Sequence, residues 1–269
     1  MSGIDFNSKN FQDLELRGLA IDSNKIQRDY AFIALTGEKK DGHDFIYQAI
    51  ERGSSIIVAQ KGKFSDIAFS GRVILVEVND TREALKTMAS NFYGSPEKSL
   101  SLAGVTGTNG KTTITFLLEA IFQHANLSTG LIGTICHKIA NREIPAFNTT
   151  PDGLTIRKYM KEMVDESTDV LVMEVSSHGL CQGRLSGLKF DAAVFTNLDR
   201  DHLDYHKDMD NYYRAKKILF TDLLKEDGFA VINTDDSYGR DLYMQIKAEK
   251  VSYGFNKDAD LSVEHCDIS

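Results

Sequence analysis

Short apolar runs separated by polar turns make up the first third of the chain. Four runs rich in aliphatic residues predict β-strands, and they begin at Gly18, Tyr30, Ser55 and Val73. Between these runs, apolar residues recur at helical spacing in the segments 45–50 and 84–92. Strands that alternate with helices predict a small α/β unit, and the Gly94-Ser95-Pro96 turn predicts that the unit ends nearby.

The pattern changes most sharply between residues 100 and 126. An apolar run at residues 100–105 gives way to a turn rich in glycine and threonine, and an amphipathic helical pattern opens at Lys111. This order predicts a strand, a phosphate-binding loop and a helix. Gly107 and Gly110 allow backbone amides to point at a phosphate, Lys111 supplies a mobile cation, and Thr112 supplies a hydroxyl for magnesium. The sequence therefore predicts nucleoside triphosphate chemistry, and a glycine turn that binds nothing is the alternative.

Further apolar runs follow this helix, and each ends in small or polar residues. They lie at residues 128–135, 170–178, 192–197 and 229–236. Helical spacing follows Pro151, which suits a first helical turn, and recurs from about residue 209 to residue 225. The pattern predicts an α/β fold with two domains: a small N-terminal α/β domain, residues 1–97, and a P-loop domain with a mostly parallel sheet, residues 98–269.

Glu174 and Ser176 close the apolar strand that begins at Val170. Open α/β sheets bind ligands at the carboxyl ends of their strands, so both residues are predicted to face the phosphate loop. A carboxylate at the end of a buried strand is costly unless it is paired or bound to a metal ion. We therefore expect Glu174 to bind magnesium, with a capping or loop role as the alternative.

The composition of the chain limits the kinds of molecule that the protein is expected to bind. The net charge of −8 and the lack of a basic cluster argue against nucleic acid, and no apolar stretch approaches the length of a membrane span. The polar N-terminus lacks the apolar region of a signal peptide, so we expect a cytoplasmic protein. Separately, we expect a monomer. The three cysteines lie far apart, which predicts ordinary thiols at Cys136, Cys181 and Cys266.

His202 and His206 lie four residues apart, a spacing at which two histidines on one helical face can bind zinc. The chain has no H-E-x-x-H sequence, and a phosphate loop requires a hard cation that prefers oxygen ligands. We therefore reject zinc and assign His206 to capping or packing.

Four motifs occur in an order that resembles the Mur ligase family of ATP-dependent amide ligases, in the superfamily that includes folylpolyglutamate synthetases. They are LRGLAIDSNKIQRDYAFIAL, G-x-x-G-T-N-G-K-T-T with Gly104 and Gly107 as upstream glycines, N-T-T-P-D, and T-N-L-x-x-D-H-L-D-Y-H. The resemblance implies that residues 1–97 bind a uridine-diphosphate muramoyl substrate. It also implies that residues 98–269 form an ATP-binding domain that is incomplete at its C-terminus and lacks the family's third domain.

Within the family, the chain is most similar to members that add the third amino acid to UDP-N-acetylmuramoyl-L-alanyl-D-glutamate in peptidoglycan synthesis. In the implied reaction, ATP phosphorylates the glutamate side-chain carboxylate, and the amine of meso-diaminopimelate or L-lysine attacks the acyl phosphate. The family's third domain selects the amino acid, so a chain of this length is expected to be inactive alone. A module that only binds the UDP-sugar peptide and ATP, and a folylpolyglutamate-type ligase, are the alternatives.

The resemblance also implies roles for individual residues. Those implied to bind the muramoyl substrate are Ile21, Ser23, Asn148, Thr149, Thr150, Ser176, Gln182 and Arg184, with the loop from Glu38 to Lys40 approaching the same ligand. Those implied to bind ATP are Gly107, Thr108, Asn109, Gly110, Lys111, Thr112 and Thr113. One departure concerns Asn24 and Lys25, because the family usually has arginine after the Asp-Ser pair.

Two magnesium ions are implied. Thr112 and Glu174 would hold the first, and His202 and Lys216 the second. The lysine at the position of Lys216 carries a carbamate (N6-carboxylysine) in the family, which turns a cation into an anionic oxygen ligand. This modification requires a neutral amine, and burial would supply it by lowering the amine's pKa; a solvated lysine is the alternative. Lys111, His202 and Lys216 are thus the implied catalytic residues.

Overall fold

A computed structural model of the chain describes residues 15–38, 40–64 and 73–263. The chain divides into two compact units, Met1–Gly94 and Ser95–Ser269. This division lies just before the boundary predicted at residue 97, because Pro96–Lys98 form a 3₁₀ turn that packs within the second unit. Two residues of the sequence analysis, Lys39 in the predicted substrate loop and Cys266, lie outside the described residues.

Within residues 15–38, 40–64 and 73–94, the first unit is a parallel four-stranded sheet with two α-helices, as the alternating pattern predicted. Its elements are β1 (Gly18–Ala20), β2 (Tyr30–Ile33), α1 (Ile46–Glu51), β3 (Ser54–Gln60), β4 (Ile74–Val78) and α2 (Thr81–Phe92). The strands are in the order β1-β2-β3-β4. Phe32 and Ile33 are adjacent and both fully buried, and adjacent strand residues point to opposite faces. Both faces of this sheet are therefore covered.

A polar cluster closes the loop after β2. The Asp41 carboxylate accepts hydrogen bonds from His43 Nδ1 at 2.6 Å and from Lys63 Nζ at 2.7 Å. The other ring nitrogen of His43 accepts from the backbone amide of Gln60 at 2.9 Å, so Nδ1 carries the proton. Both nitrogens of the imidazole are thus committed to structure, and this Asp-His pair is a brace for the loop.

Acid should weaken the first unit through Asp41. Burial alone would raise the pKa of this carboxyl, but hydrogen bonds from Lys63 and His43 outweigh burial and lower the pKa well below its usual range. The folded state then binds fewer protons, so the stabilisation is complete above the unfolded pKa of about 3.9 and is lost as pH falls through the folded value. We expect the unfolding free energy to fall less steeply below pH 5 in Asp41→Asn than in wild type, measured by urea unfolding. Equal slopes would contradict this.

The second unit is a mixed sheet flanked by helices. Its elements, in order, are β5 (Ser101–Thr106), α3 (Lys111–His124), β6 (Thr129–Ile132), β7 (Cys136–Ile139), β8 (Arg142–Pro145), α4 (Gly153–Asp165), β9 (Val170–Glu174), α5 (Ser177–Cys181), β10 (Phe190–Phe195), α6 (Leu203–His206), α7 (Met209–Ile218), β11 (Leu224–Asn233), α8 (Ser237–Gln245), β12 (Glu249–Gly254) and β13 (Leu261–Ser262). In the described part of this unit, residues 95–263, these strands form one nine-stranded sheet.

Strand order in this sheet brings distant segments together. The order is β13-β12-β11-β10-β5-β9-β6-β7-β8, in which β7 pairs antiparallel with β6 and β8 and the remaining pairs are parallel. The central strand β5 is therefore flanked by β9 and β10. Parallel strands end at the same edge, so the carboxyl ends of β9 and β10 lie on either side of the loop that follows β5. The predicted α/β fold is confirmed.

Two predicted boundaries were wrong. Helix α4 begins after Asp152, whose carboxylate caps it by accepting from the amides of Leu154 and Thr155, and Pro151 precedes the cap. Strand β11 begins at Leu224 instead of Phe229, and a π-helical turn, Leu219–Leu223, connects it to α7. The polar residues after Leu224 hid this start, because a register shift between β10 and β11 accommodates them.

Two of the three cysteines lie within the described residues. Cys136 is buried, Cys181 is exposed, and both remain thiols, as predicted. Among residues 15–38, 40–64 and 73–263, every helix is too short or too polar to cross a lipid bilayer.

Candidate nucleotide-binding site

The loop between β5 and α3 is held open by its two glycines. Gly107 has φ +145° and Gly110, the residue before α3, has φ +83°, conformations that L side chains rarely adopt. The end of β10 braces the loop. The amides of Thr108 and Asn109 donate to the carbonyl and side-chain oxygens of Asn197, at 2.8 and 2.9 Å. This geometry places the positive end of α3 behind the glycine loop, as a phosphate site requires.

Lys111 is folded back onto this loop. Its Nζ donates to the carbonyl oxygens of Gly107 at 3.0 Å and of Thr108 at 2.8 Å. Burial lowers the pKa of Lys111, while the negative charges of Glu174 and Asp201 oppose that shift. The ammonium group therefore lies within the loop, next to the place where a phosphate would bind.

Glu174 meets Thr112 across 62 residues of sequence. The Thr112 hydroxyl lies 3.0 Å from both oxygens of the Glu174 carboxylate. Thr134 donates to the same carboxylate from its amide at 2.8 Å and its hydroxyl at 3.0 Å. Since Glu174 is 1% exposed, these bonds are what keep its buried charge tolerable.

The donor set around Glu174 fits magnesium. Mg²⁺ is commonly held by one or two carboxylates together with substrate phosphates and water, and a Glu174 carboxylate beside the Thr112 hydroxyl is such a set. Across the described residues, no group of three or more histidine, cysteine, aspartate and glutamate side chains is arranged to hold a metal by itself. A site here would therefore depend on phosphate oxygens for the remaining ligands. The role of Glu174 in metal binding stays a prediction.

Lys216 is one of the largest fully buried side chains in the described residues, with 1% exposure. Its Nζ donates to the carbonyl oxygen of Gly107 at 2.7 Å and lies 4.4 Å from the centroid of the Tyr212 ring. Burial, followed by the charge of Lys111, lowers the pKa of Lys216 well below its ordinary value. The alternative of a solvated surface lysine is therefore wrong. Instead, the amine is placed in surroundings that favour its neutral form.

His202 lies at the rim of the site. It has a left-handed backbone (φ +52°), its Nε2 is 3.4 Å from Asp201 Oδ2, and its ring packs edge-on against His178 at 4.8 Å. His206 is buried instead, and its Nε2 hydrogen-bonds the Ser177 hydroxyl at 2.9 Å. Burial, then the neighbouring charges of His178, Lys216 and His202, lower the pKa of His206 to about 4. This geometry agrees with the packing role predicted for His206.

The predicted muramoyl-peptide residues of the second unit form a network beside Glu174. The buried Thr150 hydroxyl donates to the Glu174 carbonyl at 2.9 Å and accepts from the Ser176 amide at 3.0 Å. Arg184 donates to the Thr150 carbonyl at 2.6 Å and to the Gln182 side chain at 2.9 Å. The network orders the loop at residues 148–150, in which Thr149 also contacts Thr134 at 3.0 Å. Substrate binding by these residues, and by exposed Asn148, stays a prediction.

In the first unit, Ser23 begins a short 3₁₀ turn that Asp22 caps. The side chain of Ser23 is buried and its hydroxyl donates to Gln48 at 2.7 Å, while Ile21 is half-buried. Read from the sequence alone, Asp22-Ser23-Asn24 would be a polar turn, and in the structure this segment forms the start of a helical turn. Contact of Ile21 and Ser23 with a uridine nucleotide stays a prediction.

Four contributors to this site were not predicted from the sequence: Thr134, Asn197, Asp201 and Tyr212. Thr134 follows strand β6, but the sequence indicated only that it belongs to the apolar run at residues 128–135, and not that it contacts Glu174. Asn197 and Asp201 belong to the T-N-L-x-x-D-H motif. The contact of Asn197 with the loop, and the charge of Asp201 near Lys111 and Lys216, arise only from strand order. Tyr212 lies four residues before Lys216, and residues at this spacing are neighbours on a helix. This spacing could have indicated that Tyr212 lies beside Lys216 in the site.

These features define a P-loop nucleotide-binding domain that follows a separate small α/β unit. Models of known protein families match both parts of the chain. The Mur ligase middle domain matches residues 105–268, and the Mur ligase family catalytic domain matches residues 15–93. The chain therefore belongs to the Mur ligase family, which confirms the resemblance inferred from its motifs.

Curated relatives are similar over almost the whole of this chain. The UDP-N-acetylmuramoyl-L-alanyl-D-glutamate--2,6-diaminopimelate ligase of Clostridium botulinum is 41% identical over 251 residues, which is 93% of this chain and 51% of that protein. The enzyme of the same name from Geobacter sulfurreducens is 42% identical over 256 residues, covering 93% and 50%. The chain spans about half the length of the curated relatives it matches.

Solved structures share the fold. A ligase structure of that same name superimposes with a TM-score of 0.73 at 27% identity, covering 91% of this chain and 50% of the other. MurF ligase from Thermotoga maritima, solved in complex with ADP, gives a TM-score of 0.60 at 22% identity, covering 92% and 52%. At that identity the second similarity shows the fold alone.

Proposed function

We propose that this chain forms the nucleotide-binding and UDP-muramoyl-peptide-binding part of an ATP-dependent ligase. The ligase would add the third amino acid to UDP-N-acetylmuramoyl-L-alanyl-D-glutamate. The observation that carries the proposal is the convergence on one glycine loop of Lys111, the Thr112–Glu174 pair and buried Lys216. The names of the relatives favour 2,6-diaminopimelate over L-lysine as the amino acid.

In this proposal the chain acts by positioning and by neutralising charge, which are the main requirements of phosphoryl transfer. Lys111 would leave the loop carbonyls and pair with the phosphates. The amides of Thr108 and Asn109 already donate to Asn197, so the backbone amides at the start of α3 would hold the phosphate oxygens. Thr112, Glu174, His202 and Lys216 are the residues that would hold magnesium, which when bound neutralises phosphate charge. Arg184 would orient the muramoyl peptide.

The carbamate on Lys216 is part of the proposal. A neutral, buried amine is the form that takes up carbon dioxide, and the burial of Lys216 supports that form. We expect protein equilibrated with ¹³C-bicarbonate to show one carbamate signal by NMR, and Lys216→Met to lack it. The exposed Lys161→Met is the matched control and should retain the signal. A wild-type spectrum without the signal would contradict the carbamate.

Isothermal titration tests the function as a whole. Wild-type chain should bind ADP with magnesium and, separately, UDP-N-acetylmuramoyl-L-Ala-D-Glu. Absence of both would contradict the proposal, whereas phosphate release that requires the muramoyl dipeptide and an amino acid would exclude a pure binding module.

Preference for a folate would favour the folylpolyglutamate alternative. Against that alternative, a folylpolyglutamate synthase structure covers 63% of this chain, with a TM-score of 0.51 and 18% identity. A cytoplasmic, monomeric protein remains our expectation.

A further inference from the structure

Two tyrosine–lysine pairs share helix α7 at a spacing of four residues. Lys216 Nζ lies 4.4 Å from the centroid of the Tyr212 ring, and Lys217 Nζ lies 6.0 Å from that of Tyr213. The two pairs face different neighbours. The Tyr213 hydroxyl donates to Asp241 of α8 at 2.7 Å, whereas the Tyr212 hydroxyl lies 3.3 Å from the Thr108 hydroxyl of the phosphate loop. The chain thus contains a pair that touches the loop and a similar pair that does not.

Tyr212 contacts the site at several points. Tyr212 is 1% exposed, and its ring lies under the Lys216 amine, which donates to the Gly107 carbonyl at 2.7 Å. The edge of the His202 ring approaches the same phenol, with 6.2 Å between centroids. A single buried ring therefore touches the first part of the loop, the buried amine and the rim histidine.

The hydrogen bonds of Thr108 leave one place for Tyr212 as a donor. The Thr108 hydroxyl accepts from the Asp199 amide at 2.9 Å and can donate to the Asp199 carbonyl at 3.3 Å. A hydroxyl oxygen has two acceptor positions, so the second is available to the Tyr212 O–H. A phenol carries its proton at neutral pH, because its ordinary pKa is about 10, so the Tyr212 hydroxyl has the proton that this bond needs.

We propose that Tyr212 is a positioning residue that holds the phosphate loop and the Lys216 amine in the geometry that binds a nucleotide. Its hydroxyl ties Thr108 in place, and its ring supports the amine that holds Gly107. The inference rests on the proposed nucleotide binding by this loop. A loop that is ordered before the ligand arrives loses less conformational freedom on binding, so the effect appears in affinity.

Tyr212→Phe removes the hydroxyl and keeps the ring. One hydrogen bond contributes about 0.5–1.5 kcal/mol, so ADP with magnesium should bind about 2- to 10-fold more weakly by isothermal titration. Amide hydrogen exchange at residues 107–110 of the ligand-free protein should become faster by a similar factor. A merely structural role would lower the melting temperature without changing either quantity.

Tyr213→Phe is the matched control. It loses a hydrogen bond of similar burial, to Asp241 on the far side of the helix, so its melting temperature should fall while ADP affinity and loop exchange stay at the wild-type values. A double-mutant cycle of Tyr212→Phe with Thr108→Val should be non-additive, because both changes remove the same contact.

Wild-type affinity and loop exchange in Tyr212→Phe, or strict additivity in the cycle, would overturn the inference. If Tyr212→Phe does not fold, Thr108→Val removes the contact from the loop side, and unchanged loop exchange in that variant would equally overturn it. Failure of wild type to bind ADP would instead contradict the proposed function, so the two failures are distinguishable.

Discussion

Replacement of Lys111 by alanine should weaken the binding of ADP with magnesium by about 10- to 100-fold, since a charge-assisted hydrogen bond contributes about 1.5–3 kcal/mol. The ammonium already lies on the carbonyls of Gly107 and Thr108, partly dehydrated and next to the loop amides. It therefore has little further desolvation to undergo when it moves to a phosphate. Isothermal titration of both proteins measures the effect.

The matched control for this experiment is Lys161→Ala. Lys161 lies on the surface of α4, where it is paired with Asp165 one helical turn away. A solvated pair of this kind contributes little, so nucleotide affinity should be unchanged. An equal loss in both variants would mean that net charge, and not the position of Lys111, governs binding. Unchanged affinity in Lys111→Ala would remove this residue from the site.

The local part of this site could be predicted because its signals are contiguous. A strand, two glycines, a lysine and a threonine at the start of a helix are dictated by neighbouring residues, and Gly107, Gly110 and Lys111 occupy the predicted positions. The strand that ends at Glu174 was equally clear from its apolar run. The α/β class followed from the alternation of strands and helices.

The long-range part could not be predicted from periodicity. Asn197 supports the amide of Asn109 from 88 residues away, because β10 and β9 both neighbour β5 in the sheet. General rules place ligands at strand ends but do not say which strands are adjacent. The buried state of Lys216 was equally hidden, since a lysine on a helix is usually solvated and only the packing of α7 against the loop buries this one.

Of the two glycine-to-alanine substitutions in the loop, Gly107→Ala should be the more disruptive. It should lower the unfolding free energy of the second unit by about 3 kcal/mol or more. A Cβ on Gly107 would lie 1.8 Å from the Thr196 hydroxyl and 3.0 Å from the carbonyl oxygen of Asn197. Thr196 cannot turn aside without cost, because it is buried and donates to the Asn109 carbonyl at 2.6 Å. The change would therefore separate the loop from the strand that braces it.

Comparison with Gly110→Ala distinguishes the steric clash with Thr196 from the strain of a positive φ. The φ of +83° at Gly110 also disfavours alanine, but a Cβ on Gly110 would lie 4.0 Å from the nearest atoms of Thr196, so this variant carries the backbone cost of about 1–2 kcal/mol without the collision. Native-state hydrogen exchange of β5 amides measures both variants. The difference between them reports how firmly Thr196 and Asn197 fix the loop, and equal losses would show that the loop yields to the added methyl group. The brace fixes the loop backbone that leads into the first amides of α3, where a phosphate would bind, so ADP affinity should fall more in Gly107→Ala than in Gly110→Ala.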